Sequence, residues 1–319
     1  MVSRQEVAAL LTLDECIAAI TEAFRLRGEG KLRPPGILGI AAPSGAFHIK
    51  AAVMRNFFAA KVNGNFTDNP TRLGLPAIQG VIVLCDAETG RPLAAMDSIE
   101  ITTLRTAAAT ALAARHLARP GSSVVTVCGC GAQGRAQLRA VASTFPLRRA
   151  FLWDLDPTRA HLMADELGPQ VRVEVSPTED LAAAVSQSAI CITCTPSRKA
   201  FLTREWVRPG TFIAAVGTDS ADKQELEPSI LSCAKVVADV VDQCAEIGEL
   251  HHAIAARAMT REQVYAELSE LAAGLKPGRT SEDEITVFDS TGTALQDVAA
   301  AAAVYEKAAR VGSGVRIEL

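Results

Sequence analysis

Apolar positions near the start of the chain recur at helical spacing. Ile17, Ile20 and Phe24 share one face, Thr12 and Glu15 form a capping-box pattern ahead of them, and Gly28 and Gly30 close the run. The spacing predicts an opening amphipathic helix. From Ile37 to about Asp86 the pattern turns strand-like, broken by Pro43-Ser44-Gly45, by the loop from Asn63 to Pro70 and by Pro76, so this region is expected to be mostly sheet. Asp97 or Ser98 then stands as cap before an Ala-rich helical stretch that runs to about Ala118, where Arg119-Pro120-Gly121 stops it.

Beyond that stop, short apolar runs alternate with helical stretches. The runs are Val124 to Cys128, Ala150 to Trp153, Val171 to Val175, Ile190 to Cys194, Phe212 to Val216 and Val236 to Ala238. Strand-helix alternation of this kind predicts a doubly wound parallel sheet. A helix from about Arg261 to Ala273, a short strand from Ile285 to Phe288 and a long helix from about Gly292 to Ala309 complete the expectation. The fold class is therefore α/β, with a Rossmann-type doubly wound domain over 119–295 and a second, α+β domain made of 1–118 joined by 296–319.

Composition sharpens this picture. Of the 319 residues 49% are apolar and only 4% aromatic, so the core must be built from Ala, Val, Leu and Ile, which suits helices covering a parallel sheet. The net charge of -4 is spread along the chain without a basic cluster, which argues against a nucleic-acid or membrane-surface partner. Arg4, Glu6, Asp14, Glu15 and Glu22 interrupt any uncharged apolar core of a signal peptide, and no later run is long enough to span a bilayer, so a cytoplasmic protein is expected. Among the eight cysteines, Cys128, Cys191, Cys194 and Cys233 sit in apolar strand-like runs and read as small buried hydrophobes. Cys191 and Cys194 have the spacing of a metal-binding pair, but in a strand residues three apart point to opposite faces, so no metal site is expected.

The strand from Val124 to Cys128 feeds into Gly129-Cys130-Gly131-Ala132-Gln133-Gly134, a GxGxxG loop opening a helix. Gly129 allows the tight turn, Gly131 lets backbone approach a pyrophosphate, and Gly134 lets helix pack on strand, with Ala132 and Gln133 in the first turn beside the phosphates. Asp154 stands 20 residues after Gly134, where a carboxylate accepts from adenosine ribose hydroxyls. An acid there, with Asp156 close by, favours NAD over NADP; Arg159 is the one residue placed to compensate for a 2′-phosphate. Asp154 can also be read as the cap of the helix after Pro157.

These residues, with Ala60-Lys61-Val62-Asn63-Gly64, Gly74-Leu75-Pro76, Asp86-Ala87-Glu88-Thr89-Gly90, Thr103-Leu104-Arg105-Thr106-Ala107-Ala108, Thr195-Pro196-Ser197, Gly217-Thr218-Asp219, Lys223-Gln224-Glu225-Leu226 and Phe288-Asp289-Ser290-Thr291-Gly292, run the length of the chain. In order and spacing the chain resembles the ornithine cyclodeaminase/mu-crystallin family, and within it the amino-acid dehydrogenases and imine reductases such as the archaeal type of alanine dehydrogenase. The resemblance implies a homodimer, a first domain for substrate and dimer contacts, a Rossmann domain for NAD, and a closing helix that returns to the first domain. It also implies redox chemistry at the carbon bearing the nitrogen of a small amino or imino acid.

By the same resemblance Asp219 is the catalytic aspartate, Lys61 polarises the reacting centre and Arg105 binds the substrate carboxylate. Thr195 and Ser197 line the nicotinamide ribose, while Ser290 and Gly292 contact the nicotinamide amide. The residues also allow plainer readings: Asp219 as a turn cap, Arg105 in an internal salt bridge, Lys61 as a snorkelling stem, Ser197 and Ser290 as helix caps. The chain departs from the family where a basic residue is expected after the first helix, since Gly36 stands there with Arg33 before it, and where the dehydrogenases have an Arg, since His48 stands there with Lys50 two residues on. His48 and Lys50 share a strand face and together can replace the missing charge, or His48 is a surface residue. Two alternatives remain at this level: a cyclodeaminase with catalytic NAD, and a mu-crystallin-like protein that binds nucleotide without turnover.

Overall fold

The computed structural model describes residues 1–317. The chain divides into two compact units, Met1–Ala109 with Thr293–Leu319, and Thr110–Gly292. The division falls inside the Ala-rich helix, ahead of the stop at Arg119-Pro120-Gly121.

Unit 1 opens with α1 (Arg4–Leu10) and α2 (Leu13–Gly28), each started by its own capping box, Ser3 with Glu6 and Thr12 with Glu15. The apolar spacing points to α2 alone; α1 is two turns long, too short to show a period. An antiparallel sheet follows in the order β1 (Gly36–Ala42), β2 (Gly45–Met54), β3 (Phe57–Asn65), β4 (Ile78–Asp86), β5 (Pro92–Asp97), with the short α3 (Asn69–Leu73) between β3 and β4. Asp97 caps α4 (Ser98–Leu117), its carboxylate accepting from the backbone N–H of Ile99 and Glu100.

Unit 2 holds a parallel sheet of β6 (Val124–Cys128), β7 (Arg149–Trp153), β8 (Glu174–Pro177), β9 (Ile190–Thr193), β11 (Phe212–Ala215), β13 (Lys235–Ala238), β14 (Ala266–Glu267) and β15 (Thr286–Asp289); β10 (Arg198–Leu202) and β12 (Gln224–Leu226) make a separate parallel pair. Its helices are α5 (Ala132–Thr144), α6 (Pro157–Leu167), α7 (Leu181–Gln187), α8 (Pro228–Ser232), α9 (Val241–Ile247), α10 (Glu249–Ala255) and α11 (Leu268–Ala272). The strand order is β14-β13-β15-β11-β9-β6-β7-β8: the chain runs to one side as β6, β7, β8 and then crosses to β9 and the other side, where β15 inserts last between β11 and β13, so the β6–β9 pair is the switch point at which such sheets bind ligands.

Two expectations in unit 2 are corrected. The single helix expected over 261–273 is a 3-10 turn (Arg261–Gln263), β14 and α11, because two capping boxes, Thr260 with Gln263 and Glu267 with Glu270, break the run and the intervening Ala266 and Glu267 extend the sheet beside β13. Cys233 is exposed rather than buried: it lies in the turn after α8, ahead of β13.

The chain re-enters unit 1 as α12 (Ala294–Val311), capped by Thr293, which packs on α2 and on β2, β3 and β4. That side of the sheet buries Ala52, Met54, Ala59, Ile82, Leu84 and Met96. The other side keeps Leu38, Ile40, Phe47, Val53 and Val81 exposed. Among the described residues no helix is long and apolar enough to cross a membrane, and no group of three or more His, Cys, Asp or Glu is arranged to hold a metal ion.

Candidate active site

In unit 1, Lys50 and Lys61 are direct cross-strand partners on the covered face of β2 and β3, and both are buried. His48, half-buried, is the next residue on that face of β2 and pairs with Asn63, whose side-chain oxygen accepts from Ser98 at the start of α4 at 2.6 Å. Gly36 begins β1 and Arg33 is exposed ahead of it.

Lys61 Nζ lies 2.8 and 2.9 Å from the two carboxylate oxygens of Asp297 on α12, and Arg105 Nε lies 3.1 Å from Oδ1 of the same group. Arg105 Nη1 also donates to Gln296 at 2.6 Å. The anionic partner that two buried cations demand is thus supplied from within the chain, and the salt-bridge reading of Arg105 describes what the side chain does here. Lys61 is held by its head group rather than snorkelling. Lys50 stands directly opposite Lys61 on the ladder. Burial pulls Lys61 down to about 7 against the attraction of Asp297, and Arg105 and Lys50 push it the same way. Burial alone would raise Asp297, but Lys61 and Arg105 hold it below the usual carboxylate range.

In unit 2 the glycine loop joins β6 to α5. Gly129 has φ +103 and sits so close to Cys194 that an added Cβ would lie 2.8 Å from the Cys194 carbonyl oxygen; Gly134 packs on the Gly129 carbonyl. Only glycine fits at either position. Gly131 is the N-cap of α5 with no side chain closing the cap, and Gly131 and Ala132 are exposed while Gln133 is half-buried, so the N-terminus of a long helix lies at the surface, where a pyrophosphate is favoured. Asp154 Oδ2 accepts from the Cys130 N–H at 2.7 Å, which holds the acid against the glycine loop. The cap of α6 is Asp156, not Asp154, so the capping alternative for Asp154 falls away. Arg159 lies 3.7 Å from Asp156. These groups fit a dinucleotide.

Three loops leave neighbouring strand ends of the same sheet. After β9, Thr195 donates its N–H and hydroxyl to Glu225, and Ser197 closes a turn by donating to the Lys199 carbonyl at 2.7 Å. After β11, Asp219 accepts from Lys223 Nζ at 2.6 Å; burial opposes the Lys223 charge, but Asp219 raises it above its ordinary value. After β15, Asp239 Oδ2 accepts from the Ser290 hydroxyl at 3.2 Å and the Gly292 N–H at 2.6 Å. Neither Ser197 nor Ser290 caps a helix. Thr293 is the cap of α12.

Sequence reasoning missed the buried acids that hold these groups: Asp297, Glu225, Glu249, Asp239 and Asp289. An acid flanked by apolar residues on both sides, as in Ala238-Asp239-Val240, is the signal that marks one of them.

The chain is similar to known proteins over its whole length. The model of the ornithine cyclodeaminase/mu-crystallin family matches residues 1–312. The alanine dehydrogenase of Archaeoglobus fulgidus is 37% identical over 319 residues, covering 100% of this chain and 98% of that protein. Among solved structures, an archaeal alanine dehydrogenase dimer with bound NAD superposes with a TM-score of 0.96 at 37% identity, covering 99% of this chain and 98% of that one. The Δ1-pyrroline-2-carboxylate reductase of Thermococcus litoralis, in complex with NADH and L-proline, superposes with a TM-score of 0.94 at 30% identity over 99% of both chains. The chain belongs to the ornithine cyclodeaminase/mu-crystallin family.

Proposed function

We propose that this protein is a NAD-dependent oxidoreductase acting on the carbon–nitrogen bond of a small amino or imino acid, as an imine reductase or an amino-acid dehydrogenase. The observation that carries the reading is the pairing of Lys61 and Arg105 on the single carboxylate of Asp297, with Lys50 across the ladder. Two buried cations that share one carboxylate are a receptor for a second, and a substrate carboxylate is the anion that fits them. Arg105 offers a planar fork to that carboxylate and Lys61 a point charge.

Bound NAD(H) supplies the hydride acceptor or donor. The N-terminus of α5 and Asp154 hold its pyrophosphate and adenosine ribose, and the loops at Thr195, Ser197, Ser290 and Gly292 line its nicotinamide half. Asp219 stabilises the cationic nitrogen of an iminium and takes or returns its proton, with Lys223 Nζ donating to its carboxylate. His48 and Lys50 stand in for the Arg of the dehydrogenases. The exposed apolar face of Leu38, Ile40, Phe47, Val53 and Val81 is the surface on which a second copy docks, as in a homodimer.

The test is a screen of imino acids for NADH oxidation and of amino acids for NAD reduction. Turnover of at least one carboxylate-bearing substrate, and loss of that turnover with the corresponding ester, is expected. Incubation with ornithine and trace NAD separates the cyclodeaminase alternative: proline and ammonia formed with no external reductant consumed would overturn the redox reading.

A further inference from the structure

Glu225 is fully buried on β12, and both of its carboxylate oxygens are used. Oε1 accepts from the Thr195 N–H at 2.6 Å and the Thr195 hydroxyl at 2.7 Å, while Oε2 accepts from the Gly217 N–H at 3.0 Å. Thr195 lies just past the carboxyl end of β9 and Gly217 just past that of β11, and β9 and β11 are adjacent, in-register parallel strands. One side chain therefore ties together the loops that leave two neighbouring strands. Gly217 stands two positions before Asp219.

Glu225 is itself fixed from behind. Glu249 on α10 accepts from the Glu225 N–H at 2.7 Å, from the Leu226 N–H at 3.1 Å and from the Thr218 hydroxyl at 2.6 Å. Asp289, at the end of β15, accepts in turn from the N–H of Glu249 and of Leu250 at 3.2 and 2.8 Å. These three buried acids take their hydrogen bonds from backbone and hydroxyl donors around the strand ends. An apolar residue could fill the same space at lower desolvation cost, so what the acids contribute is directional: a carboxylate accepts on two sides at a fixed spacing.

We propose that Glu225 is a positioning residue that locks the Thr195 loop to the Gly217–Asp219 loop, so that the nicotinamide half of the dinucleotide and the catalytic aspartate keep one fixed relation. This rests on the roles proposed for Thr195 and Asp219. Glutamine in place of Glu225 has one acceptor oxygen and one NH2 group, so it satisfies one loop and turns donors toward the other.

The experiment compares wild type with Glu225→Gln by titrating ADP and NADH and by steady-state kinetics. ADP reports the glycine loop and Asp154 alone, and NADH adds the nicotinamide half. The expected result is unchanged ADP affinity, NADH affinity weakened by about tenfold, and kcat lowered by roughly ten- to hundredfold with a smaller change in the KM of the carboxylate substrate. Thr195→Val removes one donated bond while keeping the side chain's shape, and is expected to move the NADH-to-ADP affinity ratio the same way by a smaller factor; it stands in if Glu225→Gln fails to fold. A variant that melts earlier but keeps both the affinity ratio and kcat overturns the proposal, as does an unchanged ratio in Thr195→Val. The affinity ratio needs no turnover, so it reads the lock even if the proposed reaction is wrong.

Discussion

Lys50 and Lys61 face each other directly across the β2–β3 ladder, two buried amines on one face of the sheet. Such a pair is unfavourable by itself, and Asp297 offsets it at Lys61. With Lys61 at about 7, a carboxylate bound beside it draws a proton from solvent. The sign comes from the direction of the shift: Lys61 is already charged well below 7 and takes up a proton on binding only above it. Calorimetry in two buffers of different ionisation enthalpy should show uptake approaching one proton at pH about 8 and none at about 5.5. Lys50→Gln removes one cause of the depression and should move the window upward; an unmoved window would show that Lys61 is not the group titrating.

Asp297→Asn leaves Lys61 and Arg105 buried without their carboxylate and should cost about 3–5 kcal/mol in a denaturant titration. Adding Lys61→Met to Asp297→Asn should recover at least about 1 kcal/mol, because the unpaired ammonium goes with its partner. Strict additivity of the two changes would mean that the pair in the structure has no energetic coupling.

The groups of this cluster are unequally legible in the sequence. Lys61 and Arg105 stand out because each is a cation inside an apolar run, and the glycine loop because a strand, three glycines and a helix occur together. Asp297 does not, since it is separated from Lys61 by most of the chain, and the expected return of the closing helix to the first domain does not say which of its side chains meets Lys61. The capping boxes of 261–273 are equally readable in principle, but a two-residue strand has no period to detect, so the pattern reads as one helix. Glu225 lies within a recognisable motif; that its oxygens meet two different loops is a property of strand order, which sequence pattern does not carry.

Asp154 is held against the glycine loop by the Cys130 N–H, with Asp156 capping α6 close by. Nucleotide titration at one ionic strength should show tighter binding of NADH than of NADPH, and Asp154→Ser should narrow the difference by roughly tenfold or more. Tighter binding of NADPH by the unmodified protein would remove Asp154 from the cofactor site.

Asp219→Asn preserves shape but loses both the charge that Lys223 pairs with and the proton relay. Turnover should fall by roughly two to four decades while NADH affinity stays within a few-fold. Near-normal turnover would assign Asp219 to the turn alone.

Thr293 caps α12, and four residues later Asp297 grips Lys61. The stretch between includes the first turn of α12, where each added or deleted residue rotates the rest of the helix by about 100°. A single insertion there would swing the Asp297 carboxylate off Lys61 and Arg105 while leaving every residue type in place. The spacing from Thr293 to Asp297 thus acts as a ruler within unit 1: the exposed turn at Glu88 to Gly90 can change length at little cost, but this segment cannot, and its length is as much a part of the chemistry as its composition.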